Sequence, residues 1–138
     1  MRTQSFITNL WHRDMQSLSP AQQELATSLL IYASLELTCR PYHRASKATS
    51  KADRQTIFKH PVTGRVCLVL SAIPSPEEST SHVLRLDFFD KSERVAVEIA
   101  KASRAPNTQW AEKGERRFLV PSGSKFSELR PIIQQIVG

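Results

Sequence analysis

The stretch SHVLRLDFFDKSERVAVEIAKA, residues 81–102, decides the predicted fold, because it contains the clearest strand pattern in the chain. Val83–Phe88 and Val95–Ile99 are runs of strand length that are rich in β-branched and aromatic residues. The polar residues 90–93 between them suit a tight connection. The stretch therefore predicts a β-hairpin at the centre of the fold.

Side chains alternate between the two faces of a strand, so the hairpin is expected to have one apolar face and one polar face. The expected apolar face consists of Leu84, Leu86, Phe88, Val95, Val97 and Ile99. On the other face, one register places Arg85 opposite Glu98. A register shifted by two residues instead places Asp87 opposite Glu98. We interpret Arg85 and Glu98 as a cross-strand ion pair.

Helical spacing of apolar residues predicts helices before and after the strands. An amphipathic first helix is expected at residues 5–17. The sequence Ser19-Pro20-Ala21-Gln22 is a typical helix start and predicts a second helix from Pro20 to Leu37. A closing helix is expected within residues 126–137.

Further strands are predicted at Thr56–His60 and Arg65–Ile73, around a turn in which Gly64 takes a positive φ. Arg117–Pro121 is expected to form a short fifth strand. The sequence thus predicts one α+β domain, residues 1–138, of element order ααβββββα. An antiparallel sheet of four to five strands, built from two hairpins, would carry the second and closing helices on one face.

Composition excludes several classes of protein. No apolar run reaches the roughly 18–20 residues of a membrane span, and the N-terminal sequence lacks a secretory signal pattern. Cys39 and Cys67 are too few and too far apart in sequence for a disulfide framework, and Cys67 is interpreted as a core residue. We expect an intracellular protein, cytoplasmic by default, without a membrane partner or a cofactor.

The positive charge is concentrated in two segments. Residues 39–60 contain six basic side chains and one acidic side chain, and residues 101–117 contain five basic and two acidic side chains. These segments carry +5 and +3, while the whole chain carries +6. Such concentration is typical of a protein that binds an anionic partner.

The leading hypothesis is therefore a non-enzymatic protein that binds DNA or RNA through basic loops at residues 40–59 and 101–117. The first lies in a segment without hydrophobic periodicity, predicted as an exposed loop at about residues 38–55. Basic groups would contact phosphates, and an aromatic ring would be available to a base. The candidate binding residues are Arg40, Tyr42, Arg44, Lys47, Lys51, Arg54, Lys101, Arg104, Trp110, Lys113, Arg116 and Arg117.

A second hypothesis is a protein-interaction or adaptor module that uses the amphipathic helices 5–17 and 20–37. The second helix has a broad apolar face, and Ile31 and Leu35 add a narrower stripe. A helix this apolar is expected to be covered on more than one side, by a protein partner or by a second copy of the chain. A homodimer is therefore an open alternative.

A third hypothesis is a metal-dependent nuclease that uses Asp87 and Glu98. Two carboxylates on such a hairpin resemble the site of restriction-endonuclease-like nucleases, in which a carboxylate and a Glu-x-Lys motif hold a divalent ion. The chain departs from this pattern, because position 100 is alanine and Lys101 is expected to point to the opposite face from Glu98. The predicted Arg85–Glu98 ion pair is the favoured interpretation.

No other motif indicates catalysis or a metal site. The chain contains no Gly-rich phosphate loop, no nucleophile elbow and no HExxH sequence. Cys39 and His43 have CxxxH spacing, but no second pair of ligands follows at a distance typical of zinc sites. We therefore predict no catalytic residue and no metal ligand.

Overall fold

A computed structural model describes residues 11, 15–44, 55–74, 82–90, 92, 94–96, 98, 109–110, 117–120 and 123–138 of the chain. Its strands are β1 (Arg40–Arg44), β2 (Gln55–Lys59), β3 (Val66–Pro74), β4 (His82–Phe88), β5 (Gln109–Trp110) and β6 (Arg117–Leu119). They form one antiparallel sheet of six strands in the order β1-β2-β3-β4-β6-β5. The predicted α+β class is confirmed, although the sheet has more strands than the four to five expected.

Helices precede and follow the strands of this sheet in the sequence. Helix α1 (Pro20–Ile31) begins where the capping sequence predicts, and the Ser19 hydroxyl accepts a hydrogen bond of 3.2 Å from the backbone N–H of Gln22. The helix continues as a π-helical turn, Tyr32–Glu36. Helix α2 (Phe126–Val137) closes the chain, in agreement with its apolar spacing. Within the predicted first helix, the described residues Trp11 and Met15 are helical.

The core lies between the helices and one face of the sheet. Leu84, Leu86 and Phe88 of β4 share this face, as their alternation predicts, and all three are buried. The Phe88 and Phe118 rings pack edge to face with centroids 5.4 Å apart. The helices close this core with their own apolar side chains, of which Leu29 of α1 is one.

The β2–β3 hairpin agrees closely with the sequence prediction. Both strands lie within one residue of their expected bounds, and Gly64 in the connecting turn has a φ of 70°. Six of the nine residues of β3, the continuous run Cys67–Ala72, are buried, which fits the place of this strand inside the sheet. This apolar strand is therefore central, as predicted.

The prediction of a second strand in the central hairpin is wrong. Arg94–Ala96 are helical, as are Ser92 and Glu98, and β4 pairs instead with β3 and β6. Residues 92, 95, 96 and 99 have helical spacing, while residues 95, 97 and 99 have strand spacing, so the short run satisfies both periods. Burial of Ala96 in the core and exposure of Arg94 and Glu98 show which period applies.

The predicted loop at residues 38–55 also contains regular structure. Arg40–Arg44 form β1, an edge strand whose register is Arg40 opposite Lys59 and Arg44 opposite Gln55. This strand is difficult to predict from sequence because it contains basic residues and Pro41. Such residues are typical of sheet edges and untypical of buried strands. Residues 45–54 of the predicted loop lie outside the described residues.

Candidate nucleic-acid interface

The sheet face that points away from the helices bears most of the described polar side chains of the strands. We call this the polar face and define it by Arg40, Tyr42, Lys59, Arg85, Asp87 and Arg117. In β2, β4 and β6 these residues alternate with core residues, as Asp87 does with Leu86 and Phe88. Arg40 and Tyr42 of β1 share the face because they lie opposite Lys59 and Ile57 of β2. The register therefore brings residues from four strands onto one surface.

The β1–β2 edge presents the accessible cations of the polar face. Arg40 and Lys59 are exposed and lie directly opposite each other in the antiparallel pair. Tyr42, two residues along the same strand, is 58% exposed and opposes Ile57. Side chains opposite each other on one face are close neighbours. Two cations and an aromatic ring therefore lie side by side at this edge.

Local structure fixes where β1 begins. Thr38 has a positive φ of 55°, which turns the chain out of the helical segment. The backbone N–H of Cys39 then donates to the Ala33 carbonyl oxygen at 2.9 Å. Arg40 follows at the first position of the strand. Pro41 is tolerated here because β1 is an edge strand with one side free of ladder hydrogen bonds.

The centre of the polar face is an ion-pair cluster. One oxygen of the Asp87 carboxylate accepts a hydrogen bond from Arg117 Nε at 2.8 Å, and the other lies 3.2 Å from Arg85 Nε in an ion pair. The Asp87 side chain is only 3% exposed. The predicted Arg85–Glu98 pair is therefore wrong, because Arg85 pairs with a residue of its own strand and Glu98 is an exposed helical residue.

The ion-pair cluster is largely buried, whereas the β1–β2 edge is exposed. Burial lowers the pKa of the Arg85 guanidinium, and the adjacent Asp87 carboxylate acts in the opposite direction. Arginine nevertheless remains protonated in proteins. Val69 and Ser71, which occupy the same face on β3, are also buried. Solvent-exposed cations of the polar face are therefore found toward the β1–β2 edge rather than at its centre.

The described parts of the two basic segments lie toward opposite edges of the sheet. The segment at residues 39–60 contains β1 and β2 at one edge, and the segment at residues 101–117 contains β5 at the other. Five spacings between six strands make the sheet about 24 Å wide. These described parts therefore do not form a single patch of adjacent strands.

The structure brings only part of the predicted site residues together. Arg40 and Tyr42 share the exposed edge, whereas Arg117 belongs to the ion-pair cluster. Arg44 ends β1, and Trp110 lies in β5 opposite Phe118. The predicted binding residues outside the described residues are Lys47, Lys51, Arg54, Lys101, Arg104, Lys113 and Arg116.

Lys59 is an exposed cation of the β1–β2 edge that is absent from the binding residues predicted from sequence, although it belongs to the basic segment at residues 39–60. Its signal in the sequence is alternation with Phe58, which is fully buried while Lys59 is exposed. The position of Arg40 beside Lys59 could not be predicted from sequence, because that requires knowing that β1 exists and pairs with β2. Pairing between strands separated by a long connection is not encoded in local periodicity.

The carboxylates do not form the arrangement predicted for a nuclease. Asp87 opposes Arg117 on β6 rather than Glu98, and both of its oxygens contact arginines. Among the described residues, no group of three or more His, Cys, Asp or Glu side chains is placed to hold a metal ion. Within the same ranges, no helix combines the length and the apolar character needed to cross a membrane.

Comparison with known proteins identifies a similar fold. No family model matches the chain, and no curated protein sequence matches it. A crystal structure of a protein from Pseudomonas syringae, solved by the Northeast Structural Genomics Consortium, is similar with a TM-score of 0.55 and 17% sequence identity. The similarity covers 79% of this chain and 92% of that one. At this identity the likeness shows the fold alone.

Proposed function

We propose that this protein binds nucleic acid through the phosphate backbone, using the basic segments at residues 39–60 and 101–117. The observation that carries the proposal is the exposed pair Arg40 and Lys59, which face each other across β1 and β2 with Tyr42 beside them. This combination suits a polyanion with stacking bases, because cations bind phosphates and an exposed ring accepts a base.

The ion pairing of the arginines supports this proposal. Arg65 pairs with Asp90, Arg130 with Glu36, and Arg85 and Arg117 both with Asp87. Within the described part of the chain, Arg40 and Lys59 have no such carboxylate partner. Like charges directly opposite each other on a sheet are destabilising. An anion bound between Arg40 and Lys59 would remove this repulsion.

The separation of β1 and β2 from β5, the described strands of the two basic segments, sets a minimum length for the partner. A sheet about 24 Å wide corresponds to about seven base pairs of duplex at 3.4 Å per pair. A nucleic acid of at least this length can contact both edges, whereas a shorter one can contact only one edge. We therefore expect affinity to rise with length up to about this size and more slowly beyond it.

The proposal is tested by fluorescence anisotropy with labelled mixed-sequence DNA and RNA, single- and double-stranded, at about 50 mM salt, where phosphate contacts are strong. The informative variant is Arg40→Gln with Lys59→Gln. Its matched control is Arg94→Gln with Arg130→Gln, which removes the same charge from exposed positions in helical segments. We expect the first variant to bind more weakly than the control.

Two other results of the anisotropy measurement would argue against this proposal. Failure of the wild-type protein to bind any of the four probes would reject the proposal. Equal weakening in the two double variants would show that binding follows net charge and not the β1–β2 edge. Preference among the probes identifies the form of nucleic acid that the protein binds.

A second candidate function, docking of a protein partner or a second copy, is favoured by one observation. Ile31 and Leu35 are 49% and 61% exposed, and they are four residues apart where α1 passes into its π-helical turn. Adjacent exposed apolar side chains are typical of interaction surfaces when they form part of a larger patch. This agrees with the predicted stripe on the second helix.

Light scattering after size-exclusion chromatography tests this candidate. If α1 forms a dimer interface, the wild-type protein has twice the monomer mass, and Ile31→Ser with Leu35→Ser shifts it to the monomer. The mass would be insensitive to salt, because apolar contacts are not screened. A monomer at all concentrations would argue against self-association through these residues.

A further inference from the structure

The two cysteines of the chain, far apart in sequence, are in contact in the fold. Cys39 and Cys67 are separated by 28 residues, and their sulfurs lie 3.9 Å apart. Both side chains are buried, each about 2% exposed, and both are free thiols. The sequence contains no other cysteine. The fold therefore brings its entire thiol content to one place.

Backbone features on both sides hold these thiols together. Cys39 follows Thr38, whose φ is 55°, and immediately precedes β1. Cys67 lies at the irregularity of the β2–β3 pair, where the register shifts between Phe58 and Lys59. Its sulfur is 3.5 Å from the Phe58 carbonyl oxygen. An irregular pair of this kind adds one residue to a strand and redirects its side chain, here toward Cys39.

We propose that Cys39 and Cys67 are a site of reversible disulfide formation, with hydrogen peroxide as the oxidant. A disulfide requires a sulfur–sulfur distance of about 2.05 Å, so the two thiols must approach each other by a little less than 2 Å. Rotation about the side-chain bonds with a small backbone shift at the edge strand can provide this. The proposal concerns a modification of the fold and does not depend on nucleic-acid binding.

The chemistry has two balanced steps. The thiolate of Cys39 attacks one oxygen of hydrogen peroxide, so an S–O bond forms, the O–O bond breaks, and hydroxide leaves. The Cys67 sulfur then attacks the sulfenic sulfur of Cys39, so the S–S bond forms and the S–O bond breaks. The departing hydroxide takes the Cys67 proton as water. Overall, two thiols are oxidised and one peroxide is reduced to two waters.

The contact also indicates which thiol reacts first. The hydrogen bond from Cys67 lowers the pKa of the Cys39 thiol, although burial acts in the opposite direction. The same hydrogen bond, together with burial, raises the pKa of Cys67. Thiolates are the reactive form of cysteine. Cys39 also lies immediately before the edge strand β1, whereas Cys67 lies in the inner strand β3. We therefore assign Cys39 as the attacking thiol and Cys67 as the resolving one.

The position of the two thiols determines how peroxide reaches them and what a disulfide between them would do. Because both sulfurs are buried, peroxide reaches them when the start of β1 opens locally, and sheet edges open more readily than sheet centres. The bond would tie the start of β1 to β3, with β2 between them. It would thereby hold the edge strand that bears Arg40 against the rest of the sheet.

The experiment treats the full chain, at low protein concentration and in native buffer, with hydrogen peroxide and then with dithiothreitol. Intact mass should fall by two hydrogens and recover on reduction, and a non-reducing digest should yield a Cys39–Cys67 linked peptide. Closing a loop of 28 residues should raise the Tm of the oxidised protein by roughly 10 °C over the reduced protein.

Single variants test the order of the steps. Cys67→Ser retains a hydroxyl donor beside Cys39, and after peroxide treatment it should be labelled at Cys39 by dimedone, which traps sulfenic acid. Cys39→Ser should show little labelling at Cys67. Stronger labelling of Cys67 than of Cys39 would overturn the assigned order.

Three results would overturn the proposal itself, and all are read on the wild-type protein, so none depends on a variant that folds. They are retention of two free thiols after peroxide treatment, over-oxidation of one cysteine to sulfinic or sulfonic acid without a cross-link, and a disulfide between two chains in place of the internal one. Nucleic-acid binding need not change in any of these cases.

Discussion

At the scale of single residues, the polar face depends on Asp87, whose buried carboxylate separates two guanidinium groups. Arg85 Nε and Arg117 Nε lie 3.2 Å and 2.8 Å from its oxygens. Without the carboxylate, the two arginines would repel each other in a partly desolvated environment. Removing one partner from a buried ion pair is usually more destabilising than replacing the whole pair.

We therefore predict that Asp87→Asn lowers the free energy of unfolding by about 2–3 kcal/mol, which allows for the partial exposure of Arg117. Chemical denaturation monitored by circular dichroism measures this change. Asp90→Asn is the matched control, since Asp90 forms an exposed 3.5 Å pair with Arg65 and should change stability by less than about 0.5 kcal/mol. Equal effects in the two variants would contradict the structural importance of the Asp87 cluster.

Tyr42 gives a second prediction at this scale. If its exposed ring stacks on a base, Tyr42→Ala should weaken binding to single-stranded nucleic acid by about 1–3 kcal/mol, while Tyr42→Phe should bind like the wild type. Anisotropy titrations measure both affinities. Similar binding by all three proteins would show that Tyr42 does not contact bases, leaving the phosphate contacts as the basis of recognition.

At the scale of elements, one side chain links α1 to two strands. Gln22 Nε2 donates to the Val120 carbonyl oxygen at 2.8 Å, and its Oε1 accepts from the Leu84 N–H at 3.0 Å. The Val120 N–H in turn donates to the Leu84 carbonyl oxygen at 2.9 Å. The amide thus extends the pairing of these two strands and anchors the helix to it. Gln22 is itself buried.

Gln22→Leu should therefore destabilise the fold by about 3 kcal/mol, because two buried backbone groups lose their hydrogen-bond partners. Thermal and chemical denaturation measure the effect. Gln135→Leu makes the same change at an exposed position of α2 and should alter stability by less than about 0.5 kcal/mol. A Gln22→Leu protein as stable as the wild type would contradict the anchoring role of this amide.

Element prediction succeeded where one period was dominant. The cap at Ser19, the turn at Gly64 and the apolar alternation from Leu84 to Phe88 each have a local cause, and all three appear in the structure. It failed at Arg94–Ala96, where valines favour a strand but the spacing of residues 92, 95, 96 and 99 also fits a helix. Packing of Ala96 into the core determines the outcome, and packing is not visible in a local pattern.

At the scale of the whole molecule, sequence predicted the charge distribution but not the arrangement of the charged segments. The concentration of basic residues in two segments is visible in the sequence alone. The position of their described strands toward opposite sheet edges depends on the strand order, in which β6 lies between β4 and β5. The contact of Cys39 with Cys67 likewise follows from strand pairing at long range. Such pairings cannot be read from local spacing.

If exposed cations at the sheet edge bind phosphates, the binding must depend on salt concentration. Each phosphate contact contributes about −0.9 to the slope of log K against log salt for duplex DNA, and about −0.7 for a single strand. Apolar or neutral hydrogen-bonding recognition would give a slope near zero. The slope therefore counts contacts.

The measurement is this slope between about 50 and 300 mM salt for the wild type, Arg40→Gln with Lys59→Gln, and Arg94→Gln with Arg130→Gln. We expect a steep negative slope for the wild type. The β1–β2 variant should reduce it by about 2 on duplex or about 1.4 on a single strand, and the control should leave it unchanged. A slope near zero for the wild type, or the same slope in the β1–β2 variant as in the control, would contradict this expectation.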